Sequence, residues 1–139
     1  MQYKRFGNTI VVRIDRGEEI TEKIKEAALK ENVRFASVHA IGATDEFEAG
    51  AYNFPQKKYN SRRYAGVFEI VSLLGTIDRK DGEYYAHFHI SAADENGVVF
   101  GGHLNSARVS ATCEAVIRLI EGDISRRTDE ITGLNLWEF

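Results

Sequence analysis

Apolar and polar residues along this chain change period several times, and the changes mark out the elements. Thr9 to Ile14 is dense in β-branched residues and reads as a first strand, broken by Asp15-Arg16-Gly17. From Glu18 to Lys30 the apolar positions are Ile20, Ile24, Ala27 and Ala28, the spacing of one helix face. The pattern predicts a long amphipathic helix, capped by Asp15 or Gly17, with Asn32 ending it in a left-handed conformation. Further strands are expected over Arg34 to Ile41, closed by Gly42, over Glu46 to Phe54, and over the apolar run Gly66 to Ile77. Pro55 to Tyr64 reads as a polar loop and Asp78 to Gly82 as a turn. Tyr84 to Ala92 and Val98 to Leu104 are strands joined through Asn96-Gly97, a strong hairpin signal. Ser110 to Ile120 reads as a last strand, and the tail from Thr132 offers Leu134, Leu136 and Phe139 to the core. The sum is an α+β fold, a mainly antiparallel sheet with one long helix, expected to form one domain over residues 1–139.

Composition narrows the function classes. The 139 residues are 43% hydrophobic and 28% charged, within the range of globular proteins. The net charge of −3 argues against a surface devoted to nucleic acid but leaves a local basic patch open. Cys113 is the only cysteine, so an intrachain disulfide is impossible, and its apolar surroundings suggest a core residue. No apolar run approaches membrane-spanning length, and Met-Gln-Tyr-Lys-Arg-Phe at the start has no signal-peptide character, so a cytoplasmic protein is expected.

The sharpest chemical feature is His87-Phe88-His89 followed by Gly101-Gly102-His103. Side chains alternate along a strand, so His87 and His89 share a face with Tyr85, while Ala86, Phe88 and Ile90 take the other. The tightest hairpin pairs Glu95 with Val98 and sets His103 opposite Ile90, on the wrong face. A three-residue loop, or a bulge at Gly101-Gly102, sets it opposite His89 instead and gathers three imidazoles. Three neutral imidazoles suit zinc, copper, nickel or iron and leave an open coordination position.

Other residues are weaker candidates. Glu69 shares a strand face with Val67, Val71 and Leu73. It reads as a general base or a partner to a metal-bound group, or else as an ion pair with Arg118 or an exposed sheet-edge residue. His39 reads as a structural strand histidine. Lys57, Lys58, Arg62 and Arg63 surround two tyrosines and form the candidate nucleic-acid contacts, with Arg126-Arg127 as an extension. There is no Walker loop, dinucleotide fingerprint or nucleophile elbow.

Several phrases together resemble the PPC (plants and prokaryotes conserved) domain family: Gly17-Glu-Glu-Ile20, Ala40-Ile-Gly-Ala43, Gly66-Val-Phe-Glu-Ile-Val71 and Leu73-Leu-Gly-Thr-Ile77. His87-Phe-His89, Gly101-Gly-His-Leu104 and Arg126-Arg-Thr-Asp-Glu130 continue the match in order. The resemblance implies a mainly antiparallel α/β domain that assembles as a homotrimer. In plants the domain follows a basic Arg-Gly-Arg hook that enters the DNA minor groove, and prokaryotic members carry a DNA-binding label by that analogy. These residues hold no such hook. Stand-alone prokaryotic members often carry the histidine triad, so the resemblance implies a metal, zinc, on His87, His89 and His103. Glu69 matches the Glu of the plant phrase Gly-Arg-Phe-Glu-Ile-Leu, where Val67 here replaces the arginine. The expected function is a metal-binding protein with an open position for a small ligand or for metal-assisted hydrolysis, with Glu69 as proton acceptor. The alternatives are a DNA-binding regulatory module and a trimeric scaffold for a partner protein.

Overall fold

The computed structural model describes residues 1–139. In chain order the elements are β1 (Gln2–Phe6), β2 (Thr9–Asp15), α1 (Ile20–Lys30), β3 (Ala36–Asn53) and β4 (Lys58–Lys80). They continue with β5 (Glu83–Ala93), β6 (Val99–Leu119), β7 (Ser125–Thr128) and β8 (Asn135–Glu138). All pairings are antiparallel, in the order β1-β2-β6-β3-β4-β5, and β5 also pairs with β6. That last pairing closes β3, β4, β5 and β6 into a ring, which removes the exposed edges of those strands where they meet. No helix is long and apolar enough to cross a membrane.

The helix is short, 11 residues, and not the long element expected from Glu18. The reason lies in β6. The Gly17 N–H donates to the Val109 carbonyl (2.8 Å) and the Val109 N–H to the Glu18 carbonyl (3.0 Å), so this segment is tied to the sheet. Glu19, rather than Asp15 or Gly17, is therefore the N-cap, its carboxylate accepting from the Glu22 N–H at 2.7 Å. Asn32 adopts φ +50°, the expected left-handed stop. Ile20, Ile24, Ala27 and Ala28 are buried, as their spacing required, with Ile10, Val12 and Ile14 of β2 and Cys113, Ala115 and Ile117 of β6 in the same core.

The strands are longer than their apolar segments suggest. Gly42 does not end β3. The strand bends there, at φ +155°, and an added Cβ would lie 2.4 Å from the Thr112 carbonyl oxygen, so glycine is needed for β3 to approach β6. Val98 to Leu104 and Ser110 to Ile120 merge into β6 in the same way. The expected polar loop at Pro55 to Tyr64 is a strand from Lys58 onward, pairing with Ala49 to Asn53 in a hairpin arm. The turn after β4 is Asp81-Gly82, both at positive φ, while Asp78 lies inside the strand and is fully buried. β1 has one partly buried residue and no apolar alternation, which hides it from pattern reading.

The tail also departs from expectation. Phe139 is fully exposed and does not pack on the core, and Trp137 and Arg126 make the contacts instead. β7 and β8 form a small hairpin held to β4 by a buried ion pair. Arg126 Nε donates to Asp78 Oδ1 at 2.7 Å and Nη2 to Oδ2 at 2.6 Å, with the two side chains 6% and 0% exposed. Trp137 Nε1 donates to the same Oδ2 at 2.9 Å, and the guanidinium stacks over Tyr85, 4.5 Å from the ring centre. Removing one partner of a buried pair costs about 3–5 kcal/mol because the other charge is left uncompensated. Arg126→Met is thus expected to lower the urea midpoint by a corresponding amount and to red-shift the fluorescence of Trp137, the only tryptophan. Unchanged fluorescence in that variant would show that the pair does not hold the hairpin down.

Candidate metal centre

Three strands and one loop position the histidines. The loop after β5 is the three-residue Glu95-Asn96-Gly97. The Asp94 N–H donates to the Val98 carbonyl (2.9 Å), the Gly97 N–H to the Asp94 carbonyl (2.9 Å), and Gly97 adopts φ +77°. The Asp94 carboxylate accepts the Asn96 and Val98 N–H groups, both at 2.9 Å, which accommodates the extra residue. This loop sets His89 opposite His103, Ser91 opposite Gly101 and Ile90 opposite Gly102. Gly101 and Gly102 act as close-packing positions: an added Cβ would lie 2.0 Å from the Ile90 carbonyl oxygen and 2.5 Å from that of Gly50, respectively. On the other side of β5, His87 faces Thr76 and His89 faces Leu74. Phe88 and Ile90 point into the core.

One ligand nitrogen from each of His87, His89 and His103 lies within 4.8 Å of the others. The Nε2 atoms of His87 and His89 are 3.2 Å apart. Two nitrogens bound to one tetrahedral ion at about 2.0–2.1 Å would be separated by roughly 3.3 Å, so this spacing suits a shared cation. His103 stacks on Tyr59, with ring centres 4.2 Å apart, and its Nδ1 is buried with no hydrogen-bond partner. His103 Nδ1 and Tyr84 Oη are the two buried side-chain polar atoms without a partner, and such an atom is costly unless a ligand satisfies it. Burial, then the neighbouring His87 and His89, push the His103 imidazole down to about 4, and burial and His89 lower His87 too. Both rings are therefore neutral at ordinary pH, the form that binds metals. The donor set, its spacing and the orphaned nitrogen all fit a divalent transition ion.

The histidines open onto a cleft of about 560 Å³. One wall is the sheet, with Leu74, Thr76 and Tyr85. The other is the β7–β8 hairpin, with Leu134, Leu136 and Trp137, and Tyr59 closes one side from the β3–β4 arm. That arm is braced against the segment before β8: Tyr52 Oη donates to the Thr132 carbonyl, and Lys57 Nζ to the Glu130 carbonyl at 2.8 Å. Tyr59, Arg126, Trp137 and Asp78 were not assigned to the site by sequence reasoning. Their sequence separation from the histidines left no signal in local spacing.

The remaining candidates fall elsewhere. Glu69 is exposed, faces Ala43 and Ala93 in register, and is neither part of the cleft lining nor paired with Arg118. Within one chain it is not placed to serve a metal on the histidines. His39 is exposed on β3 opposite Leu74, outside the cluster. The four cations do not form one free patch: Lys57 bonds to Glu130, Arg63 pairs with Glu46 at 3.3 Å, and Arg62 lies over Tyr64. Arg126 is buried on Asp78 and does not extend them. Cys113 is buried and its thiol is pushed up to about 12, as a core residue should be.

Comparison with known proteins agrees with this architecture. The chain belongs to the Plants and Prokaryotes Conserved (PCC) domain family, whose model matches residues 1–121. It is similar to a PPC protein from Pyrococcus horikoshii (33% identity, TM-score 0.86, covering 99% of this chain and 94% of that one). A metal-containing protein from Archaeoglobus fulgidus is 31% identical, with TM-score 0.89 and coverage of 100% and 99%. A protein from Bacteroides thetaiotaomicron, provisionally described as DNA-binding, is 28% identical, with TM-score 0.96 and coverage of 99% and 96%. No curated protein matches the sequence.

The lowered His103 value gives a stability signature for chelator-treated protein. In the unfolded chain a histidine gains its proton near pH 6.5, whereas folded His103 does so near 4. Stability is therefore full above pH 6.5 and falls as pH drops towards 4, because only the unfolded state takes up the proton. Urea midpoints measured between pH 7 and 4.5 should decline, and His103→Gln should flatten the decline. An equal slope in that variant would contradict the buried, neutral imidazole.

Proposed function

We propose that this protein holds a divalent transition metal, zinc, on His87, His89 and His103 and presents it to a small ligand in the cleft beneath the β7–β8 hairpin. The observation that carries this reading is the convergence of three imidazoles, one with an otherwise unpartnered buried nitrogen. A relative described as metal-containing, 31% identical over the whole chain, supports it. When bound, such an ion supplies Lewis acidity and an open coordination position. No carboxylate lines the cleft, so ligand binding is better supported than hydrolysis with Glu69 as base. We further propose a cytoplasmic homotrimer. Ile41, Val67 and Val71 are each more than half exposed along β3 and β4, an apolar surface suited to another copy, and the family resemblance implies a trimer.

Purified protein from zinc-supplemented cells should contain about one ion per chain, and His87→Ala should lose it. Metal-free protein from such cells would defeat the proposal.

DNA binding is a second reading, favoured by exposed Lys58 and Arg62 on the β3–β4 arm and by the description of the Bacteroides relative. It requires affinity for duplex DNA that falls steeply with salt, and Lys58→Ala with Arg62→Ala should weaken it. Titrations at several salt concentrations decide the matter, and no binding at low salt removes this reading.

A further inference from the structure

The charge balance of the histidine cleft identifies the chemistry of its ligand. Arg126 contributes the only guanidinium in the lining, and it is already committed: Nε and Nη2 to Asp78, Nη1 to the Asn135 carbonyl at 2.8 Å. Its charge is cancelled inside the protein. Imidazoles ligate a metal through neutral nitrogens and add no charge to it, and no lysine or carboxylate lines the cleft. A divalent ion on the histidines would therefore face the cleft with its charge uncompensated, which favours one anionic group. A phosphate would need a cradle of free donors, and Arg126, with four of its five N–H groups turned to Asp78, Thr76 and the Asn135 carbonyl, does not supply one. The hairpin wall is apolar, with Leu134, Leu136 and Trp137, and Leu74 adds an apolar residue on the sheet side. Leu136, Trp137 and Leu74 are 45%, 41% and 56% exposed, so much of this apolar surface is uncovered.

We propose that the cleft binds a small monocarboxylate with an apolar alkyl or aryl body, and that the β7–β8 hairpin is the wall that selects that body. The carboxylate lies at the histidine cluster and the body against Leu136 and Trp137. The hairpin lies beyond residues 1–121, the part matched by the family model, so the selecting wall is separate from the features this chain shares with that model. This assignment rests on the metal reading of the three histidines.

The test uses the full chain loaded with zinc, its content measured first. Acetate, butyrate, hexanoate and phenylacetate are titrated, with hexanamide as the neutral control. Trp137 fluorescence and the melting temperature are followed. Saturable binding should tighten with chain length, by up to about fourfold per buried methylene. Hexanamide should bind far more weakly, and chelation should abolish the response to hexanoate. Leu136→Ala should keep its zinc yet lose the preference for hexanoate over acetate. Protein that holds zinc but binds acetate and hexanoate equally overturns the selecting wall and leaves the metal reading standing. Equal binding of hexanamide, or of hexanoate by metal-free protein, overturns the carboxylate assignment. Failure to take up zinc defeats the metal reading and the ligand with it.

Discussion

The pairing of His89 with His103 is the constraint on which the site depends. A strand's side chains alternate, so a slip of one residue would send His103 into the core and bring Gly102 to the histidine face. The Glu95-Asn96-Gly97 loop prevents that slip, with the Asp94 carboxylate holding the N–H groups of Asn96 and of Val98 just beyond it. Glycines reinforce the register by close approach. Gly101 packs on the Ile90 carbonyl, and an added Cβ at Gly75 would lie 2.0 Å from the carbonyl oxygen of His87. Side chains at these points would push β5 away from its neighbours. The ring of β3, β4, β5 and β6 then holds the cluster on strands fixed from both sides, which places the imidazoles more rigidly than loops would.

A second interaction completes the cleft. The buried Asp78–Arg126 pair carries charge into a region with little water, and it is satisfied there by Trp137 and the Asn135 carbonyl as well as by its own two bonds. The pair spends the one cation near the histidines on structure. The same contact that brings the hairpin into place thereby leaves the cleft apolar and electrically neutral around the imidazoles.

Much of the fold was readable from pattern. The helix face, β2, the burial of Phe88 and Ile90, and Cys113 as a core residue follow from periodicity and composition. The Asn96-Gly97 hairpin was recognisable too. Its register was not, because Asp94 side-chain bonds decide between loop lengths that the dipeptide alone permits equally. Strand lengths were underestimated wherever a glycine reads as a terminator but serves as a bend, as at Gly42. Polar strands were missed where pairing with a neighbour, and not burial, stabilises them. Lys58 to Tyr64 is the main case, read as a basic loop and found as the arm that delivers Tyr59 to His103.

The sequence by itself determined the imidazole chemistry, the shared face of His87 and His89, and the family to which the chain belongs, since these depend on residue type, alternation and order. Only the tertiary structure decided that His103 joins them, that Glu69 stands apart, and that Arg126 is a structural anchor and not a surface cation. Each of those outcomes depends on contacts between residues distant in the chain. Local propensity is blind to such contacts, and here they arise when β6 pairs with β3 and β5 and the last hairpin folds back onto Asp78.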